Sequence, residues 1–136
     1  MRLISRIGLL LALAAACACS QPSSREYFVR SDGSGEYSFE LDISDTLALY
    51  DISFYTRMDA RRQADTLAGF PMAVVWRSPS GRFFSENVWY PADKVLVPYR
   101  SGFRPPESGL WGLSVTIPDP PRRMRGLGVV CAKGGD

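Results

Sequence analysis

Histidine is absent from the 136 residues. That removes the commonest general base, the commonest transition-metal ligand and the side chain that titrates near neutrality, so histidine-dependent catalytic triads are excluded. Cysteine is scarce and odd in number, three in all, which does not suit a full set of disulfides. No apolar stretch reaches the about 20 residues that a helix needs to cross a bilayer. Beyond residue 20 no segment has the period of a convincing helix. Nothing in the spacing of the acids brings two of them together as a catalytic pair, and no cofactor or metal motif is present.

The N-terminus carries the most specific signal. Arg2 and Arg6 precede an apolar run, Ile7-Gly8-Leu9-Leu10-Leu11-Ala12-Leu13, which leads into Ala14-Ala15-Ala16-Cys17-Ala18-Cys19-Ser20. A charged start, a short apolar centre and small residues are the parts of a secretory signal. Small residues running directly into cysteine resemble the lipobox of bacterial lipoproteins, in which that cysteine is acylated and becomes the new N-terminus. Cys17 follows Ala15-Ala16 and suits the peptidase better than Cys19, which follows Cys17-Ala18, so Cys17 is preferred with Cys19 as the alternative. Several acyl chains on one cysteine give stable anchoring. The expected organisation is a leader at 1–16, a lipidated cysteine and flexible tether at 17–35, and a folded domain at 36–136. An ordinary secretory signal cut after alanine is the plainer alternative.

Sixteen basic and fourteen acidic residues become fourteen of each once Arg2 and Arg6 leave with the leader. A mature chain of formal charge zero lacks the positive field that nucleic-acid binding requires. The remaining length supports about one domain with one core.

Alternation of apolar and polar residues predicts strands. Tyr37, Phe39, Leu41 and Ile43 share one face, and so do Tyr50, Ile52, Phe54, Thr56 and Met58. Trp111, Leu113, Val115 and Ile117 make a third clean face. Glu26–Arg30 reads as a short edge strand, and Val95, Val97 and Tyr99 line one side of another. Phe70–Trp76 is apolar at successive positions, as a strand buried on both faces would be. Ser78-Pro79-Ser80-Gly81 fits a type I turn, so 72–90 reads as a hairpin. In Leu127–Ala132, Cys131 falls on one face with Leu127 and Val129 and reads as a buried small hydrophobe. Seven or eight short strands predict an all-β protein, a β-sandwich of jelly-roll or related Greek-key form, with a small closed barrel as the alternative.

Aromatic side chains are the residues most able to advertise a ligand. Trp76 and Trp111 lie among apolar neighbours and are expected in the core. Trp89 and Tyr90 point to opposite faces of one strand, so at least one is expected at the surface. With Arg122, Arg123 and Arg125 they are the expected partner contacts, because aromatic and arginine side chains dominate protein interfaces. Exposed aromatics also stack on sugar rings, which makes a carbohydrate-binding module the alternative. Glu86, with Glu40 or Glu107, would supply the two carboxylates of a glycosidase only if folding placed them at a set separation. Asp42 and Asp45 offer oxygen ligands for calcium, but a strand end followed by a turn explains them equally.

The order of several short motifs resembles a known family. Tyr37-Ser38-Phe39, Leu49-Tyr50-Asp51-Ile52 running to Arg57, Leu110-Trp111-Gly112 and Met124-Arg125-Gly126-Leu127-Gly128-Val129 are similar to the gliding-motility lipoproteins of the GldH group. Trp76-Arg77-Ser78-Pro79-Ser80-Gly81 and Glu86-Asn87-Val88 resemble more closely the relatives in Bacteroidetes that do not glide. The chain departs from the gliding members where they have an asparagine-leucine-tryptophan stretch, since Phe70-Pro71-Met72-Ala73 stands there. The resemblance implies an envelope protein without catalysis or cofactor. It also implies that acids directly after the lipidated cysteine direct surface export. Ala18 to Arg25 contains none, so the implied location is the outer membrane, facing the periplasm, with another envelope protein as partner.

Overall fold

The computed structural model describes residues 23–59, 68–91 and 94–134. The described residues form eight strands: β1 (Ser23–Arg30), β2 (Glu36–Ile43), β3 (Tyr50–Met58), β4 (Phe70–Arg77), β5 (Phe83–Tyr90), β6 (Val97–Phe103), β7 (Gly109–Thr116) and β8 (Met124–Lys133). They form two four-stranded antiparallel sheets, ordered β1-β8-β3-β6 and β2-β7-β4-β5. The first strand pairs with the last, the second with the seventh, the third with the sixth and the fourth with the fifth. The chain is therefore one long hairpin, with its tip at residues 78–82, rolled into a sandwich. That is the jelly roll.

The tip is chemically specified. The Gly81 amide donates to the Ser78 carbonyl at 3.0 Å, closing the type I turn, and the Ser78 amide donates to Arg82 O at 2.7 Å. Gly81 takes φ +91°, a left-handed conformation that costs glycine nothing. Hydrophobic alternation then sets register. Tyr37, Phe39, Leu41 and Ile43 of β2 and Trp111, Leu113 and Val115 of β7 face inward against Ile52 and Phe54 of β3 and Leu127, Val129 and Cys131 of β8. A one-residue slip of any of these strands would turn its whole apolar set to water.

Three expectations change. The sheet domain begins at Ser23 rather than at residue 36, because β1 is a full eight-residue strand paired along β8, not part of a tether. Val95 lies outside β6 and is 85% exposed. β4 is central, between β7 and β5, but only one face is buried. Pro71 is exposed and Ala73 and Val75 are half-buried on the outer side, where no third layer covers the sheet among the described residues. Pro71 is tolerated because β4 pairs with β7 only from Ala73 to Arg77. The readings at Cys17 and Cys19 lie outside the described residues.

The outer faces of the two sheets differ. On β8, Gly126 and Gly128 are buried beneath the rings of Phe28 and Tyr55, which stack with centroids 6.2 Å apart. Arg57 lies 5.2 Å over Phe28, and the Tyr55 hydroxyl donates to Glu26. A Cβ at either glycine would overlap these rings. On β7 of the other sheet, a Cβ at Gly112 would meet only Arg77 at an ordinary 3.6 Å.

Candidate functional site: an aromatic cleft at one end of the sandwich

Strand connectivity divides the loops between two ends. Residues 44–49, 78–82 and 104–108 share one end with the start of β1; residues 31–35, 59, 68–69, 91, 94–96 and 117–123 share the other. At the first end, the β4–β5 turn and the β6–β7 loop enclose a cleft of about 270 Å³, walled by Trp76, Phe83, Phe84, Phe103, Pro106 and Trp111 with Arg82 and Glu107 at its polar margin. The aromatic wall is mutually packed. Trp76 and Trp111 stack with centroids 5.3 Å apart, and Phe103 meets Trp111 edge-on at 5.3 Å and Trp76 at 5.8 Å.

Hydrogen bonds fix the mouth. Glu107 accepts from the Ser80 amide at 2.9 Å and the Ser80 hydroxyl at 2.7 Å, which holds its carboxyl below the ordinary carboxylate range. Trp111 Nε1 donates to Glu107 O at 3.2 Å. The two loops and the cleft floor are thus one connected unit, and the cleft is pre-formed. Phe83 and Phe84 remain 68% and 43% exposed. Such a concave, aromatic, pre-organised surface suits the burial of an apolar side chain from a partner.

Glu86 bridges the open side between the sheets. It accepts from the Tyr99 hydroxyl at 2.6 Å and from Arg100 at 2.6 Å, and Arg100 lies 5.2 Å over the Phe84 ring. Burial, and then this bond to Glu86, push the Tyr99 hydroxyl well above its usual pKa. The three candidate acids are not brought together. Glu86 lies between the sheets, Glu40 is on the outer face of β2, and Glu107 is tied to the turn.

A second, polar pocket of about 150 Å³ lies beside the start of β1, lined by Arg25, Asp42, Asp45, Tyr50, Cys131 and Lys133 among others. Arg25 pairs with Asp42 at 3.0 Å and Lys133 with Asp45 at 2.9 Å. Ser44 and Arg25 hold the Asp42 carboxyl low, and Lys133 does the same for Asp45. The two acids weighed as calcium ligands therefore already hold cationic side chains. Among the described residues no group of three or more His, Cys, Asp or Glu could hold a metal ion.

Of the expected partner contacts, Trp89 is 62% exposed and lies against Gly69, where any Cβ would come within 2.8 Å of the indole. Tyr90 is a correction. It is 1% exposed, stacks on Phe70 with centroids 4.9 Å apart, and its hydroxyl lies 3.4 Å from Thr56 Oγ1. Alternation along β5 puts Trp89 outside and Tyr90 between the sheets, so Tyr90 cannot touch a partner without unfolding. Arg122 is exposed at the second end of the sandwich. Arg123 donates to Asp59 O at 2.7 Å, and Arg125 pairs with the Asp59 carboxylate. Two of the three arginines thus fasten β8 to the end of β3. The sequence reading missed Phe84, Phe103, Pro106 and Arg82, which come from separate segments. The Phe83-Phe84 doublet was the one visible signal, because neighbouring aromatics on a strand must face both sides.

No protein-family model matches the chain, and no curated protein matches it.

Proposed function

We propose that this protein is a non-enzymatic envelope lipoprotein, anchored by lipid on Cys17 or alternatively Cys19, that binds another envelope protein. The GldH-like resemblance of its motifs supports an outer-membrane location facing the periplasm. The observation that carries the reading is the pre-formed aromatic cleft walled by Phe84, Phe103, Trp111 and Pro106. The start of β1 lies at the same end, and Cys17 precedes Ser23 by six residues, a reach of at most roughly 20 Å. A lipid on Cys17 would hold the cleft close to the membrane, so the partner is one found at that surface.

The test has two arms. A photo-crosslinking residue at Arg82 should trap one dominant protein in native membranes, and Phe84→Asp should abolish the trapping without unfolding the domain. Serine at both Cys17 and Cys19 should release the protein from the membrane fraction. A double-serine protein that stays membrane-bound sinks the lipid anchor, and undiminished trapping by Phe84→Asp sinks the cleft.

One observation favours carbohydrate as a second reading. Trp89 is exposed beside the uncovered outer face of the second sheet, whose Ser85, Asn87, Ser114 and Thr116 offer neutral hydrogen-bonding groups. Retention of the protein on a glycan array, lost in Trp89→Ala with trapping at Arg82 unchanged, would support it.

A further inference from the structure

Among the described residues, four strands terminate the two sheets: β1 and β6 on one, β2 and β5 on the other. A sheet edge presents unpaired N–H and C=O groups, and proteins guard such edges with charge, proline or irregularity. β1 carries Arg25, Glu26 and Arg30, and β2 carries Glu36, Glu40 and Asp42. β6 contains Pro98, a left-handed Gly102 at φ +64° and two register shifts against β3. β5 has none of these devices. Phe83–Tyr90 contains no proline, glycine or cation, and it pairs with β4 in unbroken register over all eight residues. Its single charge, Glu86, is matched by Arg100 of the same chain.

The exposed side chains of this edge have a symmetry. Phe83, Ser85, Asn87 and Trp89 lie on the outer face, with Phe83 68% and Trp89 62% exposed. Phe83 and Trp89 stand three residues either side of Glu86. A second copy laid antiparallel about a two-fold axis at Glu86 sets Phe83 opposite the second copy's Trp89 and Ser85 opposite its Asn87, and each pair recurs across the axis. Opposed residues on one face are the pairs that stabilise a sheet, aromatic pairs among the strongest. We propose that the occupant of the β5 edge is a second copy of this chain, and that the two copies join their second sheets into one eight-stranded sheet.

The area is of the right order. An aromatic side chain offers about 200 Å². At 68% and 62% exposure, the two Phe83 and two Trp89 side chains supply up to roughly 500 Å² of contact. A stable interface starts near about 1,200 Å², and these four aromatic side chains alone reach more than a third of it. Each Glu86 comes to the axis with its own Arg100, so the like charges meet already paired. The edge shares Phe83 with the cleft wall, but the proposal does not rest on the cleft's partner.

The experiment uses the detergent-solubilised full-length protein at micromolar concentration. Sedimentation equilibrium should show a dimer. Ser85→Lys with Asn87→Lys places two cations on each exposed edge, and should weaken dimerisation at least tenfold while leaving the thermal midpoint of the diluted monomer unchanged. Register is tested by cysteines. Ser85→Cys with Asn87→Cys should give a covalent dimer on mild oxidation, because opposed positions lie within disulfide reach, whereas Ser85→Cys alone should not. Wild type treated in parallel sets the background from the chain's own cysteines. A monomer at every concentration, or a lysine variant that dimerises as tightly as wild type, overturns the proposal. So do equal cross-linking by the single and double cysteine variants and a cross-linked product containing a different protein.

Discussion

Trp111→Ala should cost this domain about 4 kcal/mol. Trp111 is 4% exposed, stacks on Trp76, meets Phe103 edge-on and donates to Glu107 O. Truncating a buried tryptophan loses its transfer energy plus a cavity term, about 3–5 kcal/mol together. Aromatic pairs add about 0.5–1.5 kcal/mol each beyond area. Against that, Trp111 borders the cleft, so water can fill part of the space and the cavity term is reduced. Domains of this size are stable by about 5–15 kcal/mol, so the variant remains folded but marginal, with a midpoint lowered by about 15 °C. The matched control is Trp89→Ala, the same chemical change at a 62% exposed site, expected to cost less than about 1 kcal/mol. Urea denaturation followed by far-UV circular dichroism reads both. Equal losses in the two variants, or a loss below about 1 kcal/mol at Trp111, would refute the reasoning.

The remaining predictions concern glycines and pH. Gly128→Ala should destabilise by about 1–3 kcal/mol, since the new methyl displaces the Tyr55 ring, whereas Gly112→Ala should be neutral or slightly stabilising; equal effects in thermal melts would contradict the asymmetry of the two outer faces. Asp42, Asp45 and Glu107 are held below their ordinary carboxylate values, by Ser44, Lys133 and Ser80 first respectively. Their contribution is therefore full above about pH 5 and lost as pH falls through the folded values, and a midpoint flat from pH 7 to 2 would exclude it. Burial pushes the Cys131 thiol up to about 11, above its unfolded value of about 8.5. The unfolded chain then releases its proton first, stability falls as pH rises through that window, and Cys131→Ala should flatten this part of the alkaline profile.

The all-β character, most strand faces and the hairpin tip were legible in the sequence because they rest on local rules. Alternation at 37–43 and 111–117 states which side chains turn inward whatever the partner strand is. Ser78-Pro79-Ser80-Gly81 closes its own turn through a bond between residues three apart. The exclusion of histidine chemistry and the lipobox-like start also belong to the sequence alone. Tertiary structure decided what depends on separate segments meeting. The burial of Tyr90 and exposure of Trp89 required knowing which face of β5 looks inward, since both side chains are apolar enough for either. The aromatic cleft draws on β4, β5, β6 and β7, and no spacing along the chain announces it. Asp42 and Asp45 acquired Arg25 and Lys133 from β1 and β8, which the packing of one sheet on the other brought beside them. The close packing over Gly126 and Gly128 likewise depends on Phe28 and Tyr55, which neighbouring strands bring above them. Periodicity tells a side chain which way to point; the order in which the sheets assemble determines what it meets there.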